Sequence, residues 1–191
     1  MGTDKADLVV GGERLAVRLG RLLAAVARPA LEVGRGHSGL EVVGEDPPYA
    51  GPLAGIVAGW RALSARGHTG PVLVLACDLP LVGADLLALL AGWPGGGSVV
   101  PVVDGRRQLL CARWSPGDLD AAVSAFGAGE RAPRAVRLGD DLVELGEGAW
   151  SAVAGPECFA DCDTPDDLAR LGLLPGRCGA GASAGGREER R

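Results

Sequence analysis

The sequence predicts a single α/β domain with a mostly parallel sheet and helices on both faces. Three observations carry this. Apolar runs of strand length alternate with segments whose apolar residues recur at helical spacing. In PVLVLACDLPLV the residues Val72 to Cys77 run without polar alternation, which is how a strand covered on both faces reads. And 191 residues, 47% of them apolar, suffice to bury one substantial core.

Taken in order, Leu8 to Val10, the turn Gly11-Gly12 and Glu13 to Leu15 read as a short hairpin. It leads into a helix from about Leu15 to Ala27, with Leu15, Leu19, Leu22, Leu23 and Val26 on one face and Pro29 ending it. Leu31 to Val33 and Leu40 to Val43 are short strands, the first closing on Gly34-Arg35-Gly36. Leu53, Ile56, Val57, Trp60 and Leu63 share a helix face that Gly67 terminates. The strand from Val72 follows, and Pro80 cannot continue its ladder, so Asp78 falls at the carboxyl end of a central strand. Ala84 to Ala91 is a helix, Ser98 to Val103 and Gln108 to Trp114 are strands around the turn-forming Asp104-Gly105, and Asp118 to Phe126 is a helix. Leu142 to Leu145 is a strand. In CFADCDTPDDLARLGLL a short strand precedes a helix with Thr164 as cap, Pro165 in its first turn, and Asp166 and Asp167 near the positive end of its dipole. The domain is expected to span 1–173, with 174–191, rich in Gly, Ala, Ser and charge, as a disordered tail.

A net charge of -5 and a pI near 5.1 exclude a broad basic face for nucleic acid or anionic membrane. Small ligands are the expected partners. No apolar run approaches the roughly 20 residues of a membrane span, and MGTDKADLVV lacks the features of a signal peptide, so a soluble, cytoplasmic protein is expected. Five scattered cysteines without a CxxC pair read as reduced thiols. Lys5 is the single lysine among 19 basic residues, which singles out a place for a compact ammonium.

Two readings of Asp78 stand side by side. It caps the turn after its strand, or it ligates Mg²⁺, a hard cation held by one or two carboxylates plus substrate phosphate oxygens. A second carboxylate would come from Asp46, Asp161 or Asp163. Asp163 also sits beside the cap of the last helix, and across Cys162 it alternates with Asp161 toward the opposite face. The small, glycine-rich PYAGPLAG opens a helix and suits close approach to an anionic or ring-edge group, or is an ordinary loop. Cys158 and Cys162 lack the further ligands of a zinc site, and no P-loop or Ser/His/Asp order is present.

Met1-Gly2, Asp4-Lys5, Gly12 to Leu15, Glu45-Asp46, Gly51 to Ile56, Ala76 to Pro80 and Asp163 to Leu168 occur in this order in the MobA-like guanylyltransferases of molybdenum cofactor synthesis. The chain resembles that family over nearly everything up to Gly172, and GPLAG with CDLP at this spacing is the most specific part. The resemblance implies a Rossmann-like sheet, GTP across the carboxyl ends of its strands, and transfer of GMP to molybdopterin with release of pyrophosphate. It implies Lys5 and Asp78 as catalytic residues, Lys5, Asp46, Gly34, Pro52, Leu53, Gly55 and Asp78 at the nucleotide, and Asp78 with Asp163 at Mg²⁺. Molybdoenzyme-specific chaperones are further expected partners. Arg106, Arg107 and Gln108 align with a family stretch near the pterin, although Leu109 stands where proline is usual. Family members begin with a strand and a loop of the form L-A-G-G-x-S-x-R-M-G, whereas this chain starts at its M-G; a start upstream, with the missing strand and phosphate loop, is expected. A related cytidylyltransferase, and a binding domain without catalysis, are the alternatives.

Overall fold

The computed structural model describes residues 8–162 and 164–173. Strands β1 (Val9–Val10) and β2 (Glu13–Arg14) form the expected hairpin. Gly11 and Gly12, at φ 60° and 86°, adopt the left-handed conformation that a two-residue hairpin turn requires. Helix α1 (Leu15–Val26) follows directly and buries Leu15 and Leu19. Strands β3 (Leu31–Val33) and β4 (Glu41–Val43) pair with each other in parallel. Helix α2 (Pro52–Ala65) buries all five residues that its spacing assigns to one face, and Gly67 (φ 84°) lies just past its end.

Strand β5 (Val72–Leu75) precedes α3 (Ala84–Gly92) and β6 (Val99–Val103). The turn Asp104-Gly105, at φ 48° and 73°, joins β6 to β7 (Arg106–Arg107). The single strand expected over Gln108 to Trp114 is interrupted, and only β8 (Cys111–Trp114) is regular. Helix α4 (Pro116–Gly127) starts two residues earlier than its periodicity predicts, because Ser115 caps it by accepting from the Asp118 amide. Strand β9 (Val143–Leu145) and the short helices α5 (Glu147–Trp150) and α6 (Pro165–Arg170) complete the fold. The segment before α6 is a 3₁₀ turn, Pro156–Phe159, in place of the expected strand.

The expectation of a mostly parallel sheet is corrected. The main sheet runs β5-β8-β6-β7, with β9 on β6; β8 is antiparallel to both β5 and β6, β7 is antiparallel to β6, and only β9 is parallel to β6. The physical reason is local. Helical crossovers keep β5, β6 and β9 in one direction, but β8 returns from β6 through a short turn and wedges between β5 and β6 with reversed direction. Helices cover both faces of the sheet, as expected. Alternate strand residues enter two cores: Leu73, Leu75, Val99 and Cys111 join α1 and α3, while Val72, Val74, Val100 and Ala112 join α2 and α4. Trp60 ties α2 to α4 by donating from Nε1 to Asp120 at 2.8 Å.

A second correction concerns β5. The sequence expectation makes it central, yet among the described residues it pairs only with β8 and lies at the sheet's edge. Its four residues are accordingly half-buried. The other edge opens into a cavity whose far wall includes β3.

Candidate active site

Asp78 sits where the sequence puts it, just past the end of β5. The Ala76 amide still donates to Leu110 at 2.7 Å, so the ladder outlasts β5 by one residue before the chain turns away into the buried Leu79 and Pro80. Asp78 is half-buried, and its carbonyl accepts from the Cys162 amide at 2.8 Å. That bond brings the entry to α6 against the end of β5. There Thr164 and Asp167 form a reciprocal capping box, with Thr164 accepting from the Asp167 amide and the Asp167 carboxylate accepting from the Thr164 amide and hydroxyl. Asp163, expected as a second metal ligand, and Lys5, expected at the phosphates, lie outside the described residues. Asp161 is exposed.

Asp78 lines a cavity of about 980 Å³ between α1, β3, the segment 34–38, the segment 44–49, the start of α2 and β5. Its lining includes Gly34, Pro52 and Gly55, three of the residues expected at the nucleotide. Leu53 does not face it, being fully buried in the core between α2 and α4. Asp46 is exposed, whereas its neighbours Gly44 and Glu45 line the cavity. The Glu45 carboxylate accepts from the Tyr49 amide at 3.2 Å, which folds the segment leading to α2 back on itself.

The glycines of GPLAG have structural reasons. Gly51 has φ 92°, and a Cβ there would stand 3.0 Å from the Arg131 carbonyl oxygen, so both backbone and space demand glycine. The same carbonyl accepts from the Leu53 amide at 3.1 Å, the Ala54 amide donates to Gly51, and Pro52 has no N–H. The first amides of α2 are therefore engaged within the protein.

Across the cavity, the Glu32 carboxylate gathers the loop after β3. It accepts from the amides of Gly36, His37 and Ser38 at 2.9, 2.9 and 2.7 Å and from the Ser38 hydroxyl at 2.6 Å. Partial burial pushes this carboxyl up, but the bonds from Ser38, His37 and Gly36 more than offset it and hold it below the ordinary carboxylate value. On the rim, the Arg35 guanidinium lies 5.5 Å from the Tyr49 ring centroid and hydrogen-bonds the Tyr49 hydroxyl. Tyr49 is 79% exposed at φ 60°, a conformation uncommon for an aromatic residue. Sequence reading gives no site role to Glu32, Glu45 or Tyr49; for Glu32 the available signal is a carboxylate inside a three-residue strand just ahead of Gly34 and Gly36.

Chemically, the Asp78 carboxylate on the cavity fits Mg²⁺ shared with a substrate. Among the described residues no three His, Cys, Asp or Glu side chains cluster into a cage. A single cavity-lining carboxylate at a strand end is nevertheless the donor Mg²⁺ takes when substrate phosphates supply the rest. The cysteines fit no such role: burial pushes the Cys111 thiol up to about 12, with Cys158 adding to it, and burial also raises Cys158. A second cavity, of about 520 Å³, lies at the start of α4, but its Asp118 is occupied internally by Ser98, Ser115 and the Gly139 amide. No helix among the described residues is long and apolar enough to cross a membrane.

The family model described as MobA-like NTP transferase domain matches residues 1–141. A protein of Cereibacter sphaeroides named molybdenum cofactor guanylyltransferase is 30% identical over 182 residues, covering 91% of this chain and 89% of that one. One of Rhizobium meliloti with the same name is 33% identical, covering 88% and 83%. The crystal structure of molybdopterin-guanine dinucleotide biosynthesis protein A from Archaeoglobus fulgidus has the same fold, with a TM-score of 0.64 at 23% identity over 88% of this chain and 89% of that one.

Proposed function

Since the chain belongs to the MobA-like NTP transferase family, we propose that it transfers GMP from GTP to molybdopterin with release of pyrophosphate. The observation that carries this reading is the position of Asp78, a strand-end carboxylate on a cavity large enough for a nucleotide. A terminal phosphate oxygen of molybdopterin attacks the α-phosphorus of GTP, a P–O bond forms, and the bond to the β-phosphate breaks. Two anions meet in that step, so positive charge rather than acid or base chemistry is what the site must provide. Mg²⁺, held by Asp78 with Asp163 as a second carboxylate, would supply that charge to the phosphate oxygens. The Lys5 ammonium neutralises the phosphates, while Gly34 and Gly55 border the nucleotide and Asp46 approaches it from the rim.

The rival reading, nucleotide binding without transfer, draws support from the engaged amides at the start of α2, which leave phosphate binding to other parts of the chain. One assay separates the two. Incubation with Mg²⁺, GTP and molybdopterin should give the guanine dinucleotide and pyrophosphate, with CTP a poor donor, and Lys5→Ala should weaken GTP binding and slow turnover with the melting temperature nearly unchanged. Binding of GTP with no product would establish the rival; a preference for CTP would make the enzyme a cytidylyltransferase.

A further inference from the structure

Parallel strands need a long connection, a dozen or more residues and usually a helix, to return the chain to its starting end. β3 and β4 are parallel, yet only the segment 34–40 joins them. The chain makes this return with glycines in left-handed conformation, Gly34, Gly36 and Gly39 at φ 140°, 89° and 80°. Such residues lose the most conformational freedom on ordering, so this segment needs a clamp if it is to have one shape. Glu32 is that clamp. Both its oxygens are used: Oε1 accepts from the amides of Gly36 and His37, and Oε2 from the amide and hydroxyl of Ser38. From behind, α1 closes on the segment so tightly that a Cβ at Gly20 would stand 2.8 Å from the Ser38 Cβ.

We propose that Glu32 is a positioning residue for nucleotide selectivity: by fixing the segment 34–38 it sets the wall of the cavity, and with it Arg35 against Tyr49, that receives the nucleobase. This rests on the reading of the cavity as a nucleotide site. The base is assigned to this wall because the segment offers neutral backbone groups and the flat surfaces of a guanidinium and a phenol ring, suited to stacking and edge recognition. The polyphosphate belongs at Asp78, on the β5 side of the same cavity. With its oxygens committed to the loop, the Glu32 carboxylate acts through the segment it holds.

Glu32→Gln keeps the size of the side chain but replaces one acceptor oxygen with an amide NH₂ that faces backbone donors, and so loosens the segment. The experiment measures equilibrium binding of GTP, ATP, CTP and inorganic pyrophosphate in Mg²⁺ to the full chain, wild type and Glu32→Gln, with melting temperatures alongside. The expected result is about a tenfold loss of GTP affinity, equivalent to about 1.4 kcal/mol. Preference for GTP over ATP and CTP should collapse while pyrophosphate, which has no base, binds as before. Where GMP transfer is assayed, KM for GTP rises and kcat at saturation stays near the wild-type value. Glu32→Asp should recover part of the selectivity, and Tyr49→Ala should reproduce the loss without lowering the melting temperature. Equal losses for all four ligands, or unchanged selectivity in Glu32→Gln with a lowered melting temperature, would overturn the proposal by making Glu32 a stabilising residue only. Selective GTP binding by a wild type that transfers no GMP would refute the proposed reaction and leave this inference standing. A wild type that binds no nucleotide would overturn both.

Discussion

At the scale of single residues, Cys77 and Cys111 report on the site without any assay of turnover. Cys77 is exposed beside Asp78 on the cavity, while Cys111 is buried in β8 with its thiol held protonated to about pH 12. An alkylating reagent at mildly alkaline pH should therefore modify Cys77 in the native protein and reach Cys111 only on unfolding, and Mg²⁺ with GTP should slow modification of Cys77. Peptide mass mapping reads both. Labelling of Cys77 at the same rate with and without nucleotide would place the ligand elsewhere. Arg113 makes the opposite point, that a charge can serve structure alone: it is 5% exposed, and its guanidinium donates to the carbonyls of Ala91, Trp93, Gly95 and Gly97. Burial lowers its pKa, and no carboxylate compensates in these bonds. Arg113→Met should cost about 2–3 kcal/mol, because buried carbonyls lose charged donors, and a shifted denaturant midpoint with unchanged GTP affinity is the expected readout.

Elements differ in how far the sequence reveals them, and the difference follows the range of the forces involved. The face of α2 was legible because Leu53, Ile56, Val57, Trp60 and Leu63 answer to a local period, and all five are buried. The cap of α6 was legible for the same reason, since Thr164 and Asp167 meet within one turn. Strand direction was not. Whether β8 runs with or against β5 depends on a partner distant in sequence, and CARW, buried at all four positions, reads the same either way. The candidate site divides along the same line: Asp78 is marked by the strand it ends, but the role of Glu32 appears only when the return from β3 to β4 brings three amides onto one carboxylate. In PYAGPLAG the reason for Gly51 is likewise long-range, since a Cβ there would meet the Arg131 backbone.

For the whole molecule, the open edge of β5 is the feature from which most follows. Among the described residues β5 pairs only with β8 and β3 only with β4, and both border the same largely apolar cavity, with α1 and α2 covering it. A nucleotide held there, between Asp78 past β5 and the segment 34–38 after β3, would link the two sheets. Saturating GTP with Mg²⁺ should therefore raise the melting temperature of the whole chain, because a ligand bound only by the folded state stabilises it. An unchanged melting temperature at saturating GTP and Mg²⁺ would show that the cavity does not hold the nucleotide.

The account as a whole turns on Asp78 acting through its charge. Asn matches its size and forms the same turns, so a residue that only shapes the chain after β5 would tolerate the exchange. The most direct measurement is Mg²⁺-dependent transfer of GMP by Asp78→Asn, with its melting temperature determined on the same sample. The expected result is a near-native melting temperature and loss of most transfer, since the carboxylate that holds the cation is gone. Wild-type transfer by the Asn variant would contradict it, as would a large loss of folding stability with Mg²⁺ dependence unchanged.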